Sequence, residues 1–239
     1  MDAQSTEAQS EFEAIVTEVV TQVRPYTMVP EGAVGFIVNA VKHIVDNNVE
    51  GDFVECGVWQ GGCSAAMVLA NLALQPAKQR LMHMFDSYEG LPPAKPEDGP
   101  LALLWQSSVN SPTYYDNCAA SLELVQQNFA TLGIAEQNIQ FHKGWFDQTI
   151  PHFAQNNSDS KISLLRLDGD WYESTKVCLE NLYPLVSEGG IVIIDDYYSW
   201  DGCALAVHEY LGLHKLSHRI ITVSDVSSAY FVKRKHRIK

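Results

Sequence analysis

Two short apolar runs in this chain end in acid. LLRLDGD, residues 164–170, places Asp168 and Asp170 after its leucines, and GGIVIIDDYY, residues 189–198, leaves Asp195 and Asp196 behind a run of isoleucine and valine. Short continuous apolar runs suit strands buried on both faces, which means a mostly parallel sheet covered by helices on either side. In such a sheet the ligand crevice lies beyond the carboxyl ends of the strands, so acids placed there belong to a site and not to the core.

The rest of the chain alternates to match. Apolar residues recur at helical spacing over 11–24 and 32–47, predicting two leading helices. DFVECGV (52–58) reads as a strand, GCSAAMVLANLAL (62–74) as a helix and LMHMFDS (81–87) as a strand. SLELVQQNFATLG (121–133) reads as a helix closed by Gly133, and NIQFHKG (138–144) as a strand. A helical or irregular stretch over 146–157 precedes the strand KISLLRLDGD (161–170). A helix near 172–186, the strand GIVIIDD (190–196), a helix near 205–213 and two late strands, HRIITVS (218–224) and SAYFVKR (228–234), complete the alternation. Strands alternating with helices give β-α-β units and a doubly wound α/β sheet. The 239 residues, 46% of them hydrophobic, fit one domain over 1–239, with 1–48 as an N-terminal helical extension.

The longest interruption is 87–116, SYEGLPPAKPEDGPLALLWQSSVNSPTYYD. Its prolines and glycines break regular structure while Trp105, Tyr114 and Tyr115 offer apolar surface, which predicts a lid over the crevice.

A net charge of -13 argues against a nucleic-acid or anionic-membrane surface, because phosphate binding needs clustered Lys and Arg. The one basic cluster, KRKHRIK at 233–239, reads as the solvated end of a strand. No run reaches eighteen apolar residues and the start is polar and acidic, so the expectation is a cytoplasmic protein with no membrane partner. Cys56, Cys63, Cys118, Cys178 and Cys203 are scattered without a CxxC pair, as expected of buried free thiols in a reducing compartment. His208 reads as a surface helix residue.

VECGVWQGGCS joins the first strand to a helix, and Gly57, Gly61 and Gly62 allow a tight turn with close approach of a ligand. Trp59 stands where a dinucleotide fingerprint needs its second glycine, so a nicotinamide cofactor fits badly. Glu55 at the end of that strand and Asp86 at the end of the next suit a ligand carrying an ammonium group and a ribose diol. S-adenosylmethionine has both and no phosphate.

Asp168, Asp195 and Asp196 end neighbouring strands in this reading, and three crowded carboxylates repel one another unless a hard divalent cation relieves them. Mg²⁺ suits an all-oxygen site that keeps open positions; Mn²⁺ and Ca²⁺ are the alternatives. Asp170 is either a base or only the cap of the helix that follows.

Taken together, YTM (26–28), GDFVECGVWQGG (51–62), FDSYEGLP (85–92), KGWFDQTIP (143–151), LRLDGDWYEST (165–175), LYPLVSEGG (182–190) and IIDDY (193–197) resemble the macrocin O-methyltransferase family over residues 25–235. The resemblance implies a Rossmann-like class I methyltransferase fold with a seven-stranded sheet, S-adenosylmethionine as donor and Mg²⁺ on Asp168, Asp195 and Asp196. It also implies donor contacts from Tyr26, Thr27, Met28, Glu55, Gly57, Gly61, Gly62, Asp86, Ser87, Gly144 and Trp145. The acceptor would be a small-molecule hydroxyl, on a sugar or another natural product, and a homo-oligomer is compatible with the sequence. The chain departs from the family in carrying Cys56 and Gln60 where threonine and arginine are usual. Catechol-type relatives have a lysine where Trp171 stands, which leaves Asp168 and Asp170 as the candidate bases. The competing readings are a non-catalytic module that senses the donor and, more remotely, a nicotinamide-dependent oxidoreductase. Trp105, Tyr114, Tyr115, Tyr197, Tyr198 and Trp200 either line an acceptor pocket or pack the lid.

Overall fold

A computed structural model describes residues 3–223 and 228–234. The basic tail beyond Arg234 and the last residue of the run 218–224 lie outside the described residues. Seven strands form one sheet: β1 (Asp52–Cys56), β2 (Met82–Asp86), β3 (Ile139–Lys143), β4 (Ile162–Leu167), β5 (Val186–Ile194), β6 (Ile221–Thr222) and β7 (Ala229–Val232). Their order is β3-β2-β1-β4-β5-β7-β6. β1 to β5 run parallel, and β7 lies antiparallel between β5 and β6. The chain moves outward from β1 to β3 and then crosses back to place β4 on the other side of β1. This is the strand-order reversal at which α/β sheets open a crevice.

Helices α1 (Ala3–Val23), α2 (Glu31–Asp46), α3 (Gly62–Leu74), the two-turn α4 (Pro100–Ser107) and the one-turn α5 (Tyr115–Cys118) precede α6 (Leu122–Thr131), α7 (Phe146–Asn156), α8 (Tyr172–Leu182) and α9 (Asp201–Leu213). The period-two alternation of the strands divides the core. Phe53, Leu164, Ile191 and Ile193 face α1, α2, α3 and α6, whereas Val54, Cys56, Leu165, Leu167, Val192 and Ile194 face α7, α8 and α9. The two leading helices are not an appendage: Val19, Val34, Ile37, Val41 and Ile44 are buried in the first of these layers. Ser121 caps α6 by accepting a bond from the Leu124 amide, and Gly133 (φ 70) turns the chain after it. The helix expected to run to 186 stops at Leu182, because Tyr183-Pro184-Leu185 tightens into a 3₁₀ turn before β5. Among the described residues no helix is long and apolar enough to cross a membrane.

Candidate active site

A cavity of about 680 Å³ opens beyond the carboxyl ends of β1, β2, β4 and β5. Parallel register explains what reaches it. Glu55 of β1 pairs with Arg166 of β4, and Arg166 pairs with Ile193 of β5. Asp168 and Asp195 lie two residues beyond Arg166 and Ile193, so all four polar groups fall on one face of the sheet. The ends are clamped together by Asp168 N–H donating to the Cys56 carbonyl at 2.8 Å and Asp195 N–H to the Leu167 carbonyl at 2.9 Å.

Asp168, Asp195 and Asp196 each offer a carboxylate oxygen within 4.8 Å of the others. The sequence reading that they converge is met by the geometry. Asp170 is not the helix cap: its φ is +58, its carboxylate accepts the Trp200 indole N–H at 2.8 Å, and its amide donates to Asp196 at 3.1 Å. Burial raises the pKa of Asp170 and of Asp196 well above the usual carboxylate range, with neighbouring acids adding to the shift. Burial pushes Asp168 up to about 6 although Arg166 pulls it down, and pushes Glu55 up to about 7 against the same arginine.

Arg166 is the functional side chain that sequence reasoning missed. Only 1% exposed, it donates to Glu55, Asp168 and Asp195, each at 2.6 Å. Burial alone would lower its pKa, but Asp168 and Asp195 raise it well above the ordinary value. The available signal was an arginine inside a strand whose other positions except Ser163 are apolar, since an arginine is almost never fully buried without acid partners.

Of the residues that the resemblance implies around a donor, Tyr26, Thr27, Met28, Glu55, Gly57, Asp86, Ser87 and Trp145 line the cavity, with Trp59 and Cys63 beside them. Gly61, Gly62 and Gly144 do not. Gly61 (φ 90) faces Phe129 and Val125, and a Cβ on Gly62 would meet the Tyr26 carbonyl at 2.6 Å, so Gly62 admits the 26–28 segment to the wall. Gly144 faces Thr149, and its N–H donates to the Asp86 carbonyl at 2.9 Å. Asp86 accepts from the amides of Val58 (2.6 Å), Trp59 (3.3 Å) and Tyr88 (2.7 Å), so this carboxylate also shapes the glycine turn.

The 87–116 segment covers the other side of the cavity through Gly90, Leu91, Pro92, Pro93, Lys95 and Asp98. It is a folded cover with specific anchors. The Trp171 indole donates to the Pro92 carbonyl at 2.9 Å, and Asp98, 2% exposed, accepts the Tyr172 amide at 2.7 Å and so caps α8 in place of Asp170. Asn117 brackets Leu91 with two bonds from within α5, whose four residues all have positive φ (49, 52, 57 and 57). The six aromatics singled out from the sequence pack structure and do not line the cavity. Trp105 contacts Trp171 at 6.2 Å, Trp200 at 5.9 Å and Tyr114 at 5.3 Å, while Tyr115 packs on Trp59 at 6.0 Å. Tyr197 is hydrogen-bonded to His208, away from the cavity, and Tyr198 to Thr222. Four of the thiols are buried, but Cys118 is only partly so and lines the cavity. Asp98→Ala is expected to lower stability by about 1–3 kcal/mol by stranding the amides of Tyr172 and Lys95, both of which donate to Asp98. It should also speed proteolytic cleavage within 87–116; an unchanged cleavage rate would count against the anchor.

Known proteins resemble this chain in sequence and in fold. The TylF family model, macrocin-O-methyltransferase, matches residues 4–233. The chain belongs to the macrocin O-methyltransferase family. Demethyldecarbamoylnovobiocin O-methyltransferase of Streptomyces niveus is 35% identical over 203 residues, covering 83% of this chain and 72% of that one. Mycinamicin III 3''-O-methyltransferase of Micromonospora griseorubida is 32% identical over 202 residues, covering 83% and 75%. The solved structure of the O-methyltransferase NovP superposes with a TM-score of 0.76 at 31% identity, covering 88% of this chain and 83% of that chain. The protein is thus an O-methyltransferase of the class I, S-adenosylmethionine-dependent fold, which sets aside the sensor and nicotinamide readings.

Proposed function

We propose that this O-methyltransferase methylates a hydroxyl of a sugar or related natural product, with a divalent cation, Mg²⁺ by preference, held by Asp168, Asp195 and Asp196. The observation that carries the reading is the convergence of those three carboxylates, all-oxygen ligands within 4.8 Å, on the cavity that Glu55 and Asp86 border. The substrate class follows the relatives, one named for a novobiocin precursor and one for mycinamicin III.

S-adenosylmethionine supplies a methyl group on a sulfonium, a good leaving group. A divalent cation supplies Lewis acidity that eases ionisation of an alcohol. The chain supplies position, dryness and a base. Glu55 and Asp86 offer acceptors for the donor's ammonium and ribose, and Tyr26, Thr27, Met28, Ser87 and Trp145 wall it in. Gly61, Gly62 and Gly144 act one step back, by letting the backbone close around those groups. Asp170 has one oxygen occupied by Trp200 and the other free to take the acceptor proton as the hydroxyl oxygen takes the methyl group. Asp168, pinned by Arg166, is the weaker candidate for that task. The cover from Gly90 to Asp98 excludes water and aligns the acceptor. In this reading 87–116 is the lid of a single domain.

The test is calorimetry with S-adenosylmethionine, S-adenosylhomocysteine and NAD, in Mg²⁺ and then in EDTA. Micromolar binding of both sulfur compounds and none of NAD is expected, with methyl transfer to hydroxylated glycosides lost in EDTA. Full activity in excess EDTA would refute the cation. Raised carboxylate pKa values add a pH signature. Asp168 and Asp196 must both lose protons to serve as ligands, so Mg²⁺ affinity should fall as pH drops, through about 6 for Asp168 with the raised Asp196 adding to the loss, and protons should be released on binding. A flat affinity from pH 5 to 8 would contradict the assigned ligands.

A further inference from the structure

We propose that Arg166 is a positioning residue that ties the donor-side acid to the cation-side acids, holding Glu55, Asp168 and Asp195 in register; this rests on the reading of the site given above. One Arg166 nitrogen, Nη1, donates to both Glu55 and Asp168, and the other, Nη2, donates to Asp195, every contact at 2.6 Å. The guanidinium therefore spans three adjacent strands, β1, β4 and β5. It occupies one oxygen of Asp168 and one of Asp195, and so fixes which oxygen of each remains for the cavity.

Charge supports the same role. Glu55, Asp168, Asp170, Asp195 and Asp196 crowd five carboxyl groups around this one buried cation, and their mutual repulsion is not relieved by it alone. The acid cluster is thus held together by Arg166 yet still short of positive charge, which favours a dication and the donor's ammonium beside it. A lysine cannot substitute, since a single ammonium cannot reach both flanks as the planar fork does.

Each arm also has its own second donor. The Ser64 hydroxyl donates to the other oxygen of Glu55, and the Ser228 hydroxyl donates to Asp195 at 3.0 Å on the oxygen that Arg166 also holds. These serines separate the arms experimentally. With S-adenosylhomocysteine and Mg²⁺ as probes, Ser64→Ala should weaken chiefly the first and Ser228→Ala chiefly the second. Arg166→Lys should weaken both by roughly tenfold or more. A purely structural Arg166 would lower the melting temperature and leave both affinities untouched. Wild-type affinities in folded Arg166→Lys, or a loss confined to one probe, would overturn the proposal. Should Arg166→Lys not fold, the serine pair decides. Joined through one guanidinium, their effects on Mg²⁺ affinity should be non-additive by about threefold or more, and strict additivity would overturn the link. Wild-type protein that binds neither probe would instead refute the reading of the site.

Discussion

Asp195→Asn and Asp168→Asn should each lower methyl transfer by about a thousandfold or more while changing affinity for S-adenosylhomocysteine little. Amide for carboxylate preserves shape and one acceptor oxygen, so the bonds from Arg166 and Ser228 have a partner of the same geometry. What is lost is a negative charge facing the cavity. If the proposed cation is held there, removing one of its three proposed ligands forfeits several kcal/mol of charge stabilisation, and each 1.36 kcal/mol is about tenfold in rate. The proposed donor side keeps Glu55, Asp86 and the glycine turn, and the amide oxygen keeps an acceptor for the Arg166 bond that links these acids to Glu55. Equal losses of rate and of donor affinity would mean that these aspartates organise the whole cavity. Wild-type rates in both variants would remove the cation from the mechanism.

The parts of this site legible in the sequence were those that strand chemistry exposes directly. An apolar run that ends in acid identifies Asp168, Asp195 and Asp196 without reference to any other part of the chain, and the parallel register then brings them together. Glu55 and Asp86 were found in the same way. Arg166 escaped because a lone arginine inside LLRLD looks like noise in an apolar pattern. Its importance comes from Glu55 and Asp195, which are remote in sequence and adjacent only once β1, β4 and β5 are aligned. Asp98 escaped for a related reason: a cap supplied from 74 positions away leaves no local capping signature, and Asp170, beside the helix, took the expected place. The lid aromatics were ambiguous in principle. Periodicity cannot tell an indole that lines a pocket from one that packs on Trp171, and the answer depends on how the cover is anchored. The final strand pair was harder still, because a two-residue β6 is too short to impose a pattern.

Gly57→Ala should be the most damaging single-methyl change in the site. Gly57 has φ +89, a region where an L-residue is strained, and its N–H donates to the Phe85 carbonyl at 2.9 Å, which holds β1 against β2. A Cβ there would fall inside contact distance of the Asp168 carbonyl oxygen and 2.7 Å from its carbonyl carbon. Backbone atoms cannot rotate aside as a flexible side chain does, so the end of β1 or the Asp168 turn must move. Strain and overpacking together cost about 4 kcal/mol. For a domain of this size that lowers Tm by roughly 8–16 °C. The displacement bears directly on function, because Glu55 lies two residues before Gly57 and Asp168 is the residue struck. Donor and cation affinities should therefore fall together in whatever fraction stays folded. Gly212→Ala is the control: nothing lies within 4 Å of its Cβ position in α9, and it should leave Tm and both affinities near wild type. A Gly57→Ala protein as stable as that control would mean that the strand ends at the crevice are far more compliant than their mutual backbone hydrogen bonds imply.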